Sequence, residues 1–426
     1  MFRRIRILRT LTLFHLTCVS YTAIALLCYP FVDGDPWAIV NEDTIRRGLG
    51  MALIFVSCCV VADLVFYRRP TRHAPLSVEP TATSFVVLGG IFLAGFIGFL
   101  RFFFVAGAWQ YFGSVIAAVR SGGEYYEARE GVAAVLVSQT GKGVAHGTTA
   151  VYITVPVVVV VGLYVFRKRH ALHYGMLAAA AAIQALLTVG VFLERAPVLY
   201  ALTFPLVAWA AVKFNPRDAQ KLLTRHMRRI FILGGIAFTA LGLAVYTWTD
   251  VGENPLTSLF SRIFMSPCIT ANYYLAAFPD EFAFRGWSKI LGMGATLGEA
   301  DVGTRDIASF VTGGRYSYNP NSGILPTAYS GAGLPGCFVA TCIYLMLVVW
   351  VDHMFRRYPT EIRTLNLLMN FYSLPMLGNT PLLAAFSSGF VTPSILFLAF
   401  LITCRRIRNR ARPVPLAARQ DHVAVP

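Results

Sequence analysis

The feature that most constrains this chain is a series of long apolar blocks, each near the length of a helix that crosses a lipid bilayer. A span needs about 20 apolar residues, because an α-helix rises about 1.5 Å per residue through a hydrocarbon core of roughly 30 Å. Hydrocarbon offers no hydrogen-bond partners, so each block must satisfy its own backbone groups, as a helix does. The blocks predict ten transmembrane helices, over residues 8–29, 49–67, 84–104, 149–166, 171–192, 197–214, 230–248, 334–351, 364–380 and 388–404.

The composition agrees with a protein built almost entirely within the membrane. Of the 426 residues, 56% are hydrophobic and 14% are charged, whereas a soluble domain carries about 25% charged residues. The formal net charge of +16 would otherwise favour nucleic acid as a partner. The basic residues, however, lie mainly in short clusters at the ends of apolar blocks. We therefore predict an all-α polytopic bundle, with residues 1–426 as a single integral membrane domain and no nucleic-acid partner.

The basic clusters also predict the orientation of the helices. Cytoplasmic loops of membrane proteins carry an excess of Lys and Arg. When ten helices alternate in direction, six clusters fall on one side, which predicts that both termini are cytoplasmic. Two long loops, 105–148 and 249–333, then lie outside. The six clusters are the N-terminus, 68–72, 167–169, 217–229, 356–357 and 405–412.

Motifs for nucleotides and metals are missing from this sequence. The run Gly141-Lys142-Gly143 is not a P-loop, because Leu136 stands where the upstream glycine is required and no Ser or Thr follows the lysine. No Cys and His spacing typical of a metal site is present. We therefore predict neither a cofactor nor a metal.

Cations on the predicted outer side form a candidate anion site. Guanidinium offers a planar fork of donors that matches phosphate oxygens and stays charged at physiological pH. The alternative is that each arginine merely pairs with a nearby carboxylate. Arg195 stands out because its hairpin, residues 192–197, is so short that its charge must lie near the ends of two membrane helices. A charge there must face a cavity or a partner, and the adjacent Glu194 is one candidate partner. The outer cations are Arg101, Arg120, Arg129, Arg195, Arg262, Arg285, Arg305 and Arg315, with Lys142 and Lys289.

The first long loop interleaves charges with tyrosines. Tyr125 and Tyr126 lie between Glu124 and Glu127 within residues 120–130. Such a mixture suits a sugar, whose hydroxyls need charged partners and whose C–H faces need aromatic rings. A solvated helix face with Glu and Arg pairs at helical spacing is the alternative.

The second long loop is dense in aromatic residues over 273–287. Aromatic rings beside a membrane often form an interfacial belt, which explains the rings but not Asp280, Glu281 and Arg285 among them. The loop ends in residues 315–336, where many small residues allow the backbone to approach closely at the entry to the eighth helix.

Several of these runs resemble the long outer loop of Wzy-type polysaccharide polymerases. They are Phe278-Pro279-Asp280 with Arg285-Gly286-Trp287-Ser288, then 319–323, then 328–333 leading into a helix. The Arg195 hairpin resembles the matching segment of the same superfamily, which includes O-antigen ligases. Those ligases are associated with a histidine in the large outer loop, and residues 249–333 contain none. The resemblance therefore favours a polymerase.

The resemblance implies a metal-independent glycosyltransferase at the outer, periplasmic face of a bacterial inner membrane. It would join oligosaccharide repeat units carried on polyprenyl pyrophosphate, with membrane lipid around it and a chain-length regulator and a flippase as candidate partners. Arg195, Arg285 and Arg315 are expected to bind the pyrophosphate, and one of Glu124, Glu127 and Asp280 to act as the base. The expected substrate contacts are Arg120, Arg129, Arg305, Tyr125, Tyr126, Trp287, Asn319 and Asn321.

Two other classes of membrane protein were weighed against a polymerase or ligase. A transporter or flippase of lipid-linked or anionic saccharides predicts internal repeats and ionisable residues buried in mid-helix. The sequence shows no repeat, and Asp63 is the acidic residue placed well inside a predicted span. A membrane acyltransferase would need a histidine with a polar partner near mid-membrane, and His15 has no acidic companion.

Overall fold

A computed structural model describes the chain over most of six predicted spans, the start of a seventh, 364–380, and part of the second long loop. The described residues are 42–66, 76–105, 109, 143–192, 266–291, 304–311, 323–355, 357–358, 360–370, 382–383, 386 and 390–408. Predicted helices over 8–29, 197–214 and 230–248 lie outside them, as do most of the first long loop and residues 249–265, 292–303 and 312–322 of the second.

The described part of the chain is mostly helical. In chain order it contains α1 (Glu42–Phe66), β1 (Leu76–Glu79), α2 (Ala82–Leu100), α3 (Gly143–Arg169), α4 (Leu172–Phe192), α5 (Ser266–Ala277), α6 (Thr304–Val311), α7 (Ile324–Phe355), α8 (Thr360–Asn370), α9 (Val391–Thr403) and β2 (Arg405–Arg408). A π-helical turn, Arg101–Val105, continues α2, and a 3-10 turn, Trp287–Leu291, lies in the second long loop.

Three described helices are long and apolar enough to cross a membrane: α1 over Glu42–Ala62, α2, and α7. Parts of α4 (Leu172–Leu187) and α9 are shorter apolar helices. Large apolar side chains such as Leu53 and Ile97 are exposed on the outside of this packing. An apolar helix that exposes such residues is typical of a face in contact with lipid.

Helices α2, α3 and α4 pack together through polar side chains and through a close backbone contact. The Ser84 hydroxyl lies 3.1 Å from the Tyr174 hydroxyl, and Gln184 donates to the carbonyl of Gly95 at 3.0 Å. Both contacts join α2 to α4 in register, so these helices run parallel. At Gly95 an added Cβ would lie 2.1 Å from Thr154 Oγ1 of α3, which shows why a small residue is required there.

Helices α1, α7 and α9 pack into the same core. Gly50 faces Leu334, and Phe55 lies 6.2 Å from Tyr344 between ring centroids, so α1 and α7 run parallel. The ring of Phe390 lies 6.2 Å from Tyr344, and the ring of Phe397 stacks on Phe355 at 5.6 Å, so α9 runs parallel to α7. The alternating order of predicted spans requires these relative directions.

The ends of the helices form two distinct groups of residues. The basic end contains Glu79, Arg169 and the strand Arg405–Arg408, where β1 and β2 form a two-stranded antiparallel ribbon. The loop end contains the first turns of α1 and α7 together with residues 278–291. Segments that the charge pattern places on one side of the membrane therefore lie together at one end.

The structure adds a ribbon to the predicted helices and corrects one helix boundary. In the ribbon, Thr81 Oγ1 donates to the Thr403 carbonyl at 2.9 Å and holds the adjoining chain ends side by side. The eighth predicted helix, 334–351, begins ten residues earlier, at Ile324, and is broken at Ala332 and Gly333. The small residues at this entry lie in the buried half-helix that precedes the break and in the break itself.

Candidate functional site

The break in α7 is the main irregularity at the loop end. Ala332 (φ −153°, ψ 29°) and Gly333 (φ 64°, ψ −151°) are not helical, and Pro335 follows. The backbone of Gly333 lies in a region that side chains with a Cβ rarely adopt. Residues 324–331 form a buried half-helix before the break, and residues 334–355 continue beyond it.

The second long loop supplies hydrogen bonds that the broken helix lacks. In a continuous helix the Gly331 carbonyl would accept from residue 335, but Pro335 has no N–H. The backbone N–H of Gly286 donates to the Gly331 carbonyl and that of Arg285 to the Ser330 carbonyl, both at 2.9 Å. Irregular backbone at membrane depth is tolerated only where protein or a lined cavity satisfies it. The loop is therefore held against α7 by its own backbone.

Small residues allow this close contact, as predicted from the sequence. A Cβ added at Gly331 would lie 3.1 Å from the Gly286 carbonyl oxygen and 3.1 Å from the Ile290 nitrogen. A Cβ at Gly336 would lie only 2.3 Å from the Ala328 carbonyl oxygen. The expected close approach at the entry to this helix is confirmed.

Arg47 in α1 also binds the second long loop. Its Nη1 donates to the carbonyls of Leu275 at 2.9 Å and Phe278 at 3.0 Å, and its Nη2 lies 2.9 Å from Asp280 Oδ2. The Leu275 carbonyl would ordinarily accept from residue 279, but Pro279 has no N–H. Arg47 thus caps the C-terminal end of α5 from a neighbouring helix.

Arg47 was not among the predicted site residues, although its position in the sequence gave a reason to select it. It lies in a segment predicted to be outside, where positive charge is disfavoured, and this is the criterion that selected the other arginines. Its neighbour Arg46 has a different environment: it pairs with Glu42 one helical turn away, and both side chains are well exposed.

Charged and aromatic side chains are concentrated on the stretch between Arg47 and the break in α7. Arg285 is half-buried, and Lys289 is 3% exposed although it carries a cationic group. Trp287 is 60% exposed and Phe284 is 43% exposed. We name Arg47, Asp280, Arg285, Trp287 and Lys289 the loop-end cluster. It combines cations suited to a phosphate with rings suited to a sugar or a lipid chain.

The predicted site residues divide between this cluster and parts of the chain that are not described. Asp280, Arg285 and Trp287 lie within one short stretch at the loop end. The backbone of Arg305 lies in α6, which contacts the same stretch through Phe310 and Phe282, whose ring centroids are 5.6 Å apart. The remaining predicted residues, Arg195, Arg315, Glu124, Glu127, Arg120, Arg129, Tyr125, Tyr126, Asn319 and Asn321, lie outside the described residues.

The partners of Asp280 bear on its predicted role as a base. Its carboxylate is 63% exposed and is bound by Arg47, whose side chain is 22% exposed. In this arrangement Asp280 holds the turn that follows α5. Within the described ranges, no group of three or more His, Cys, Asp or Glu side chains is placed to hold a metal ion.

Comparison with known proteins adds no family to these observations. No protein-family model matches the chain, and neither the curated proteins nor the solved structures contain a similar protein. The functional reading therefore depends on the loop-end cluster, the helical architecture and the sequence resemblance.

Proposed function

We propose that this chain is a polysaccharide polymerase of a bacterial inner membrane, which joins oligosaccharide repeat units carried on polyprenyl pyrophosphate. The observation that supports this most is the break in α7, which is joined by backbone hydrogen bonds to the loop stretch that carries Arg285, Trp287 and Lys289. A broken membrane helix gives a polar ligand a place to bind near the membrane surface. Cations and rings suit a donor that combines a pyrophosphate, a sugar and a lipid.

The proposal includes ten spans with both termini in the cytoplasm. The parallel pairs α1 with α7 and α2 with α4 support it, since both pairs have the directions that alternation requires. Reporter fusions after Arg169 and Arg410 are expected to give a cytoplasmic signal, and fusions near Gly123 and Gly303 are not. A reversed pattern at either long loop would refute this topology.

The proposed reaction is a glycosyl transfer between two lipid-linked glycans. A hydroxyl of the acceptor sugar attacks the anomeric carbon of the donor, and the bond from that carbon to the pyrophosphate oxygen breaks. Negative charge develops on the leaving pyrophosphate, and preorganised cations stabilise it. We assign this role to Arg285 in the loop-end cluster and to Arg195 and Arg315.

A carboxylate accepts the proton that the acceptor hydroxyl loses. Asp280 is already bound by Arg47, so proton transfer to Asp280 would weaken the contact that holds the loop. Glu124 and Glu127 in the first long loop therefore become the better candidates for the base.

One observation favours a transporter of lipid-linked or anionic saccharides as the second candidate. Transporters commonly build their binding sites from discontinuous helices, and α7 is discontinuous. The two functions differ in their products: a polymerase makes longer glycans, whereas a transporter moves glycans of unchanged length across the membrane.

Gene deletion tests the proposal in the cell. Without the polymerase, single repeat units are expected to remain on the lipid or on the final acceptor, because assembly and flipping come before the missing step. Normal polymer in a strain that has no other polymerase would refute the proposal. Complementation with Arg285→Ala is expected to fail, while complementation with Arg46→Ala is expected to succeed, since Arg46 is an exposed cation outside the cluster.

A further inference from the structure

The ribbon at the basic end joins two clusters of positive charge that are far apart in the sequence. Strand β2 pairs with β1 so that Arg405 lies opposite Glu79, and Arg406 lies opposite Val78. The Glu79 carboxylate also binds the guanidinium of Arg169, the last residue of α3. Arg167, Lys168, Arg169 and Arg405 therefore lie on one surface around Glu79. We name this surface the basic-end patch.

The position of the patch is set by the ends of three helices. Helix α2 begins just after β1, α9 ends just before β2, and the hydrogen bond from Thr81 to the Thr403 carbonyl joins these two ends. The end of α3 is attached through Arg169 and Glu79. Because apolar helices end where the hydrocarbon ends, the patch lies at the level of the lipid headgroups.

The patch is strongly cationic and open to its surroundings. Its described side chains are four cations and one carboxylate: Arg167, Lys168, Arg169 and Arg405, with Glu79. Arg167, Lys168 and Arg405 are exposed, and the Arg169 side chain remains 48% exposed although it binds Glu79. The ion pair fixes the spacing of the two clusters, so the charge is held on a folded surface rather than on separate chain ends.

We infer that the basic-end patch binds the headgroups of anionic phospholipids in the inner leaflet. Clusters of four to eight Lys or Arg beside the cytoplasmic end of a membrane helix attract anionic lipids, at about 1 kcal/mol for each cation near the surface. Guanidinium groups bind phosphate oxygens through paired N–H donors. The inference rests on the orientation in the proposed function, which places this end in the cytoplasm, and not on the polymerase reaction.

Native mass spectrometry of the purified full chain tests this inference directly. Phosphatidylglycerol and phosphatidylcholine are titrated separately, and inorganic phosphate is a third arm. We expect phosphatidylglycerol to bind more tightly than phosphatidylcholine and inorganic phosphate to leave its binding unchanged. The triple variant R167Q/K168Q/R405Q is expected to bind phosphatidylglycerol at least tenfold more weakly, because three contributions of about 1 kcal/mol exceed the 1.4 kcal/mol of a tenfold change.

The controls separate a lipid site from general effects of charge and folding. Arg46→Gln removes an exposed cation at the loop end and is expected to leave phosphatidylglycerol binding unchanged. If the triple variant does not fold, the pair R167Q/K168Q serves in its place, with an expected loss of about tenfold. Equal binding of the two phospholipids, unchanged binding in the folded variants, or competition by inorganic phosphate would each overturn the inference. Polymerase activity does not enter these measurements, so their failure is distinct from failure of the proposed function.

Discussion

Removal of the Arg47 side chain tests how the second long loop is held. Arg47→Ala deletes the donors to the carbonyls of Leu275 and Phe278 as well as the contact with Asp280. A half-buried carbonyl without a donor costs about 1–3 kcal/mol, and the exposed ion pair adds roughly 0–1 kcal/mol. Because two carbonyls lose their donor, we expect a loss of roughly 2–7 kcal/mol in the free energy of unfolding.

Two companion variants separate the carbonyl bonds from the ion pair. Asp280→Asn removes only the ion pair and is expected to cost about 1 kcal/mol or less. Arg46→Ala removes an exposed pair with Glu42 and is expected to cost about 0.5 kcal/mol or less. SDS titration of the purified protein in mixed micelles measures the three free energies, and limited proteolysis reports cleavage within residues 278–291.

The ranking of these variants decides whether the reasoning is correct. Arg47→Ala should lose more free energy of unfolding than either of the other variants and should expose residues 278–291 to protease. If Asp280→Asn costs as much as Arg47→Ala, the ion pair and not the cap on α5 holds the loop. If Arg47→Ala behaves like Arg46→Ala, the interhelical cap contributes nothing measurable.

The other predictions concern packing within the bundle. Gly336→Ala should destabilise the protein by about 2 kcal/mol or more in the same SDS titration, because the new Cβ would lie 2.3 Å from a backbone oxygen. Gly90→Ala should be neutral or stabilising by up to about 1 kcal/mol, because no atom lies within 4 Å of its new Cβ. The side chains of Cys58 and Cys342 lie close together across α1 and α7, so oxidation by copper phenanthroline should crosslink a chain that retains only these two cysteines. Fragments that separate on a non-reducing gel after proteolysis between them would contradict the contact between α1 and α7. Ser394→Ala removes a hydroxyl bonded to Asn366 and Asn370 of α8 and should cost about 1–3 kcal/mol in unfolding free energy.

The sequence predicted the described helices well because their apolar blocks have a physical length requirement. Helix α4, Leu172–Phe192, differs by one residue from the predicted 171–192. The start of α7 could not be predicted from apolar length, because its half-helix 324–331 contains a proline, a threonine and a serine and is stabilised by the loop that covers it. The ribbon was equally hidden, since its pairing joins residues more than 300 positions apart.

Three of the predicted site residues come from a stretch whose local sequence was distinctive. Asp280, Arg285 and Trp287 were selected from one aromatic and charged run, and the structure places that run against the break in α7. The charge of Arg47 in an outer segment was a signal, but its partners were hidden, because they are the carbonyls of Leu275 in α5 and of Phe278 just after it, more than 200 residues away. Interactions of a side chain with distant backbone leave no pattern in the local sequence.

Polymerisation by purified protein tests the central claim most directly. The full chain is reconstituted with lipid-linked oligosaccharide repeat units, without nucleotide sugars and with EDTA present, and the glycans are separated by size. The account predicts a ladder of glycans that increase by whole repeat units, and the ladder should be lost with Arg285→Ala but retained with Arg46→Ala. Single repeat units of unchanged length after incubation with the folded protein would contradict the account.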